Sequence, residues 1–210
     1  MDSQDSQDSQ DSQDSQDSTM TIVDENRQEI LYFAYGSNLS TAQMRERCPF
    51  STPVGMGYLG GWKWIINARG YANIVRSSAS SVVATQKQQA AAAAAAAVGG
   101  GGEDGVYGLL YLLPPNDEAK LDIFEGVPGA YEKAHLDVNW LSDAQGNPVQ
   151  DEALSQVRAL VYIDTRRVVE DKPHKEYVGR MERGIKDVVE NWGLDEAYAD
   201  KVMRRFWRFP

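Results

Sequence analysis

The sequence has only one cysteine, Cys48, and two histidines among its 210 residues. A single thiol excludes an internal disulfide framework and suits a reducing compartment. No apolar run approaches the roughly 18 residues of a membrane span, and the N-terminus lacks the basic and apolar regions of a secretory signal. These absences predict a soluble, cytoplasmic protein with no membrane partner.

Positive charge is also scarce. Lys and Arg number 21 against 31 Asp and Glu, which gives a formal net charge of −10. Six of the aspartates lie in residues 1–20, where there is no Lys or Arg, so residues 21–210 carry −4. Because phosphate contacts need a basic surface, this balance argues against a nucleic-acid partner.

Two segments have a strongly biased composition. Residues 1–20 begin with five Asp-Ser-Gln triplets, which bury nothing apolar and predict a disordered tail. Residues 77–102 include eight consecutive alanines and four consecutive glycines, which predict an expanded surface loop. The remaining residues, about 165, suffice for one ordinary domain, so we predict a single domain at 21–210 with a low-complexity insertion at 77–102.

The hydrophobic pattern predicts strands and helices in irregular order. Strands are expected at 30–35, 62–67, 71–76, 106–113, 131–140 and 157–163. Ser40 and Gln43 form a capping-box pattern before a helix at 41–47, and apolar residues spaced by three and four predict a longer helix at 174–192. This order predicts an α+β fold, a small mixed or antiparallel β-barrel flanked by helices.

The first candidate site follows the first strand, at Tyr35 to Asn38. A strand that ends in Gly36-Ser37-Asn38 before a capped helix leaves backbone amides unpaired near the positive end of the helix dipole, which favours an anion. Alone, the same pattern is also that of an ordinary turn. An acyl-serine mechanism at Ser37 is disfavoured, because Leu39 replaces the second glycine of a nucleophile elbow.

The second candidate site is Glu125, which follows Ile123 and Phe124 and precedes Gly-Val-Pro-Gly. The pattern places its carboxylate at the end of a short helix, where apolar walls would raise its pKa toward that of a useful general base. A solvent-exposed glutamate at a helix end would have the same local sequence. Asp122 is expected at the surface or as a structural hydrogen-bond partner.

Together, the stretches Leu31 to Leu39 and Leu121 to Tyr131 resemble the paired motifs of the γ-glutamylcyclotransferase family, whose members convert γ-glutamyl amino acids into 5-oxoproline and a free amino acid. The resemblance runs from about Ile30 to Arg205, without the insertion. It implies that Glu125 is the proton acceptor and that nine residues line the substrate pocket. These are Tyr32, Phe33, Ala34, Tyr35, Gly36, Ser37, Asn38, Tyr131 and Tyr177.

The resemblance also implies chemistry without a metal, a cofactor or a covalent enzyme intermediate, since the substrate carries its own nucleophilic α-amine. The Ser37-Asn38 pair favours γ-glutamyl amino acids, with glutathione and γ-glutamylamines as alternatives. A non-catalytic relative that binds a small metabolite is a further alternative, which the intact Glu125 disfavours. Members of the family can form dimers, so the aromatic residues at 205–210 are expected either against the domain or in a homodimer interface.

Overall fold

The computed structural model describes residues 29–77, 105–150 and 155–208. The predicted tail at 1–20, and the predicted insertion at 77–102 apart from Ser77, lie outside the described residues. No helix in the described part of the chain is long and apolar enough to cross a membrane.

The described residues form seven strands and three main helices. The strands are β1 (Ile30–Ala34), β2 (Thr52–Gly60), β3 (Trp62–Ile66), β4 (Ala72–Arg76), β5 (Gly105–Leu113), β6 (Glu132–Asp143) and β7 (Gln156–Ile163). The helices are α1 (Thr41–Arg47), α2 (Pro115–Glu125) and α3 (Lys175–Trp192). Residues 196–206 follow as short α, π and 3-10 turns, not as one regular helix.

Five of these strands close into a barrel in the order β1, β5, β2, β6 and β7. Neighbouring strands are antiparallel except β1 and β7, whose parallel pairing closes the barrel. The predicted α+β fold around a small mixed barrel is therefore confirmed. The remaining strands, β3 and β4, pair with each other in a separate hairpin.

The sequence pattern does not predict β2, because its sequence Thr-Pro-Val-Gly-Met-Gly-Tyr-Leu-Gly is rich in residues that normally weaken strands. In the fold these glycines permit close strand packing. A Cβ on Gly57 would lie 2.8 Å from Val138 Cγ1, and Gly55 has a φ of +145° beside a bulge in the pairing with β5.

Helix α2 carries the second motif to its position. It begins at Pro115, a favoured first residue because proline has no N–H to leave unpaired. It ends at Gly126, whose φ of 66° is the left-handed conformation that terminates many helices. Glu125 is therefore the last helical residue, as predicted, with its side chain beside the barrel.

Two of the C-terminal aromatic residues, Phe206 and Trp207, pack against the domain. The rings of Phe206 and Trp64 lie 5.5 Å apart, and Trp207 Nε1 donates a 2.7 Å hydrogen bond to Glu182 of α3. Phe206 and Trp207 therefore contact the domain itself, and a homodimer interface stays a prediction.

Two glycines of α3 predict opposite effects of the same substitution. Gly179 is exposed, and an added Cβ would meet only Arg183 Nη1 at 3.8 Å, so Gly179→Ala should stabilise the fold by about 0.5–1 kcal/mol through helix propensity. At Gly184 the Cβ would lie 3.1 Å from Leu39 Cβ and 3.2 Å from Ser40 N, both buried. Gly184→Ala should therefore destabilise it by about 1–3 kcal/mol. Urea denaturation of both variants measures the difference, and equal shifts would contradict this packing.

Candidate active site

A cavity of about 200 Å³ lies where α2 and α3, the turn of the β3–β4 hairpin and one end of the barrel meet. Both sequence motifs reach it, although they are far apart in the chain. Of the predicted site residues, the lining includes Tyr32, Tyr35, Gly36, Ser37, Asn38, Glu125, Tyr131 and Tyr177.

Phe33 and Ala34, which were also predicted as pocket residues, are not among the residues that line this cavity. Both are fully buried in β1. Side chains alternate along a strand, which places the Phe33 ring on the opposite face from Tyr32, against Gly108 of β5. The Ala34 methyl group is covered by its surroundings. These two residues belong to the core that supports the site.

A direct hydrogen bond joins the two motifs. Asn38 Nδ2 donates to Glu125 Oε1 at 3.1 Å and to the Tyr32 hydroxyl at 3.0 Å. The Asn38 Oδ1 atom accepts from Gln43 Nε2 at 2.8 Å and from Arg47 Nη1 at 3.1 Å. Because its amide is fixed on both sides, Asn38 holds the Glu125 carboxylate in one orientation.

The pKa of Glu125 is raised above its ordinary value, and burial is the largest cause. Arg47, the hydrogen bond from Asn38, Arg180 and Arg69 each lower the pKa, in decreasing order, without cancelling the effect of burial. The walls differ from the apolar ones expected, since tyrosine rings and arginines dominate the lining. A carboxylate with a raised pKa suits proton transfer near neutral pH.

Four of the pocket tyrosines are neutral hydrogen-bonding groups. Burial raises the pKa of Tyr177 to about 12 and those of Tyr32, Tyr35 and Tyr131 well above the usual value. Tyr131 donates its hydroxyl to the Ala72 carbonyl at 2.7 Å, and the Tyr177 hydroxyl accepts from Ser37 N at 3.3 Å. These hydroxyls can position a ligand but are too weakly acidic to serve as bases at neutral pH.

The turn after β1 differs in detail from the expected anion site. Residues Ser37–Leu39 form one 3-10 turn before α1, and Thr41 N of α1 donates to Asp187 Oδ2 at 2.8 Å. Ser40 caps α1 by accepting from Gln43 N, but the Gln43 side chain reaches Ser37 and Asn38 instead of returning to Ser40. The first amide of α1 is therefore satisfied within the protein, and the cavity is lined by residues of the 3-10 turn, not by the N-terminus of α1.

Seven lining residues were not predicted from the sequence. Three are arginines from separate elements, Arg47 of α1, Arg69 of the β3–β4 turn and Arg180 of α3; the others are Tyr71, Ala72, Phe124 and Tyr162. Arg180 lies outside the apolar stripe of α3. A solvent-exposed arginine would have the same position in the pattern, so the sequence does not indicate that Arg180 lines a cavity. Asp122 is a structural partner, since it accepts from Tyr162 at 2.7 Å and from Lys133 at 2.9 Å.

The raised pKa of Glu125 predicts a stability effect with a definite sign. The folded protein binds this proton more tightly than the unfolded chain does, so the stabilisation present at acidic pH is lost as pH rises through the raised pKa. Glu125→Gln should therefore gain stability relative to the wild type from about pH 4.5 upward. Urea denaturation across pH 4 to 8 tests this, with the exposed Glu190→Gln as a control for the loss of one negative charge. A difference that falls with rising pH would contradict the account.

Comparison with known proteins is consistent with the positions of the two motifs. The family model described as "Gamma-glutamyl cyclotransferase, AIG2-like" matches residues 32–178, which is more than half of the chain. No curated protein sequence matches the chain.

Solved structures show the same fold at low sequence identity. One, named "Gamma-glutamyl cyclotransferase", is 20% identical with a TM-score of 0.57 and covers 83% of this chain and 86% of its own. An uncharacterized protein from Homo sapiens is also 20% identical, with a TM-score of 0.57 and coverages of 84% and 87%. YkqA from Bacillus subtilis is 19% identical with a TM-score of 0.58, over 88% of this chain and 56% of its own.

Proposed function

The chain belongs to the gamma-glutamyl cyclotransferase, AIG2-like family, and from this premise we propose that it converts a γ-glutamyl amino acid into 5-oxoproline and a free amino acid. The observation that carries the proposal is the contact between the two motifs. Glu125, with its raised pKa, accepts a 3.1 Å hydrogen bond from Asn38 inside the shared cavity. A buried, oriented carboxylate beside a polar binding turn is what this reaction needs.

In the proposed first step Glu125 acts as a general base. The α-amine of the substrate is an ammonium ion at neutral pH and has no lone pair with which to attack. Glu125 accepts one proton from it, and the freed amine forms a C–N bond to the γ-carbonyl carbon of the same molecule. The carbonyl oxygen then carries the negative charge of a tetrahedral intermediate.

In the second step the same residue acts as a general acid. The protonated Glu125 gives its proton to the nitrogen of the departing amino acid as the original γ-amide bond breaks. The ring nitrogen still carries two hydrogens after the attack, and it gives one of them to the departing amine. The products are 5-oxoproline, a neutral lactam, and the free amino acid with an ammonium group, and Glu125 returns to its starting carboxylate. A carboxyl group with a raised pKa can serve in both directions near neutral pH.

The pocket contributes mainly by holding the substrate in a folded conformation. Oriented intramolecular reactions reach effective molarities of about 10⁵ M or more, so restricting the flexible glutamyl chain is worth several kcal/mol. The turn at Gly36 to Asn38 is the proposed contact for the glutamyl group and for the developing oxyanion. The tyrosine hydroxyls around Glu125 supply further polar contacts. We place this reaction in the cytoplasm, where a lone thiol such as the buried Cys48 stays reduced.

The test is release of 5-oxoproline, followed by chromatography, from γ-glutamyl-alanine, glutathione and a γ-glutamylamine. The proposal predicts release from γ-glutamyl-alanine with the highest kcat/KM. Release mainly from glutathione would reassign the substrate while keeping the chemistry. Binding of all three without release would favour a non-catalytic metabolite-binding relative.

A further inference from the structure

The cavity lining contains more positively charged side chains than the single carboxylate of Glu125 can balance. Arg47, Arg69 and Arg180 all line it, and Glu125 is the carboxylate among the lining residues. Arg180 also pairs with Glu176, outside the lining, at 3.8 Å, and the lining still carries an excess of positive charge. An excess of this kind favours a ligand with more than one negative group.

Two of the three arginines are already engaged by the protein. Arg180 Nε donates to Gln43 Oε1 at 3.0 Å, and its Nη2 atom donates to Ser37 Oγ at 2.8 Å. Arg47 Nη1 donates to Asn38 Oδ1 at 3.1 Å. Their charges act on the pocket, but much of their hydrogen-bonding capacity holds the motif turn in place.

Arg69 differs, since its guanidinium has no hydrogen-bond acceptor among the described residues, and its Nη1 atom is buried in that state. The guanidinium carbon lies 5.5 Å from the centre of the Tyr71 ring and 5.4 Å from that of Tyr131. The two rings hold the group through cation–π contacts but accept none of its directional hydrogen bonds. A buried donor without an acceptor is costly, and a bound anion would remove that cost.

The turn that carries Arg69 is held in place by hydrogen bonds and close packing. Asn67 Oδ1 accepts from Arg69 N at 3.0 Å, while Asn67 Nδ2 donates to buried Asp164 at 3.0 Å. Gly70 follows with a φ of +75°, and a Cβ there would lie 2.7 Å from the His174 ring. Arg69 is thus pre-positioned, which reduces the entropy that it loses when it binds a ligand.

We propose that Arg69 binds the carboxylate of the amino acid that leaves, which makes it the residue that selects γ-glutamyl amino acids over γ-glutamylamines. The inference rests on the proposed function and extends it to the leaving half of the substrate. With the glutamyl half at the turn and its ammonium at Glu125, the second carboxylate needs a separate cation. Arg69 is the pocket arginine whose guanidinium has no acceptor in the described part of the chain, and a guanidinium pairs with a carboxylate through two parallel hydrogen bonds.

The test compares two substrates that differ by this carboxylate. Ethylamine is alanine without its carboxyl group, so γ-glutamyl-alanine and γ-glutamyl-ethylamine form a matched pair. Because Arg69 also lowers the pKa of Glu125, Arg69→Gln will affect both substrates, and the test is the difference between them. We expect the loss of kcat/KM for γ-glutamyl-alanine to exceed the loss for γ-glutamyl-ethylamine by roughly 10- to 100-fold. Arg69→Lys should fall in between, because it keeps the charge but loses the paired donors. Arg183→Gln, on the exposed face of α3, is the matched control and should alter neither value.

A binding measurement separates this inference from the proposed function. Each of the two ligands is titrated calorimetrically into the Glu125→Gln variant and into the double variant Glu125→Gln, Arg69→Gln. The inference predicts weaker binding of γ-glutamyl-alanine alone, even if the wild type released no 5-oxoproline and the proposed function failed. An equal loss for both ligands would assign Arg69 to the glutamyl half and overturn the inference. No loss for either ligand, or no binding of either, would overturn it as well.

Discussion

Glu125→Gln is expected to lower kcat for 5-oxoproline formation by about 10²- to 10⁴-fold, the usual contribution of a positioned general acid–base group. Glutamine keeps the size of the side chain and can still accept the hydrogen bond from Asn38, but it cannot carry the proton. Binding of γ-glutamyl-alanine should be retained, since the turn and the arginines remain. Steady-state kinetics and calorimetric titration of the same preparation measure both quantities.

The matched control is Glu132→Gln, which removes a half-exposed carboxylate from β6, outside the cavity lining. Its kinetic constants should equal those of the wild type. If Glu125→Gln keeps most of its activity, Glu125 is not the base. If it loses both binding and thermal stability, the loss of turnover reflects a damaged fold, and the missing proton acceptor is not its cause.

Asn38→Asp is expected to produce the second large effect, by changing the pKa of Glu125. The substitution preserves shape but places a carboxylate where the amide now donates to Glu125 over 3.1 Å. Two carboxylates this close do not both ionise readily, so the pKa of Glu125 should rise further. The base would then be protonated at neutral pH, and kcat/KM should fall by roughly tenfold or more at pH 7.

The sign of the pH dependence distinguishes this effect from simple damage. In the wild type, activity should fall as pH drops below the raised pKa of Glu125, because the base is then protonated. In Asn38→Asp the same decline should begin at a higher pH, and activity should recover partly as pH increases. Asn116→Asp, at an exposed position in the first turn of α2, is the control and should leave the profile unchanged. An acid limb that does not move would show that Asn38 does not set the protonation of Glu125.

Local sequence patterns predicted the elements that are specified by residues close together in the chain. The apolar stripe of α3, the Ser40 cap of α1 and the glycine after Glu125 each indicate structure within a few residues. The motif stretches likewise predicted which loop meets which helix end. For these features the determining contacts are close in sequence, so the pattern and the structure agree.

Other features depend on distant contacts and escaped prediction. Strand β2 resembles a loop because its glycines are required by neighbouring strands that the local pattern does not contain. Phe33 lies within a motif stretch, and the prediction treated the whole stretch as pocket-lining. Because side chains alternate along β1, Phe33 faces the core instead of the face that carries Tyr32. The pocket arginines come from three separate elements, and a solvated arginine has the same local sequence as one that faces a ligand.

The most direct test of the account is the reaction of γ-glutamyl-alanine in water enriched in oxygen-18. If the α-amine of the substrate is the nucleophile, 5-oxoproline and alanine should appear in equal amounts, and the 5-oxoproline should contain no oxygen from water. Glutamate carrying oxygen-18 would show that water attacks the γ-carbonyl, either directly or through an acyl-enzyme. That result would contradict intramolecular cyclisation as the function of this site.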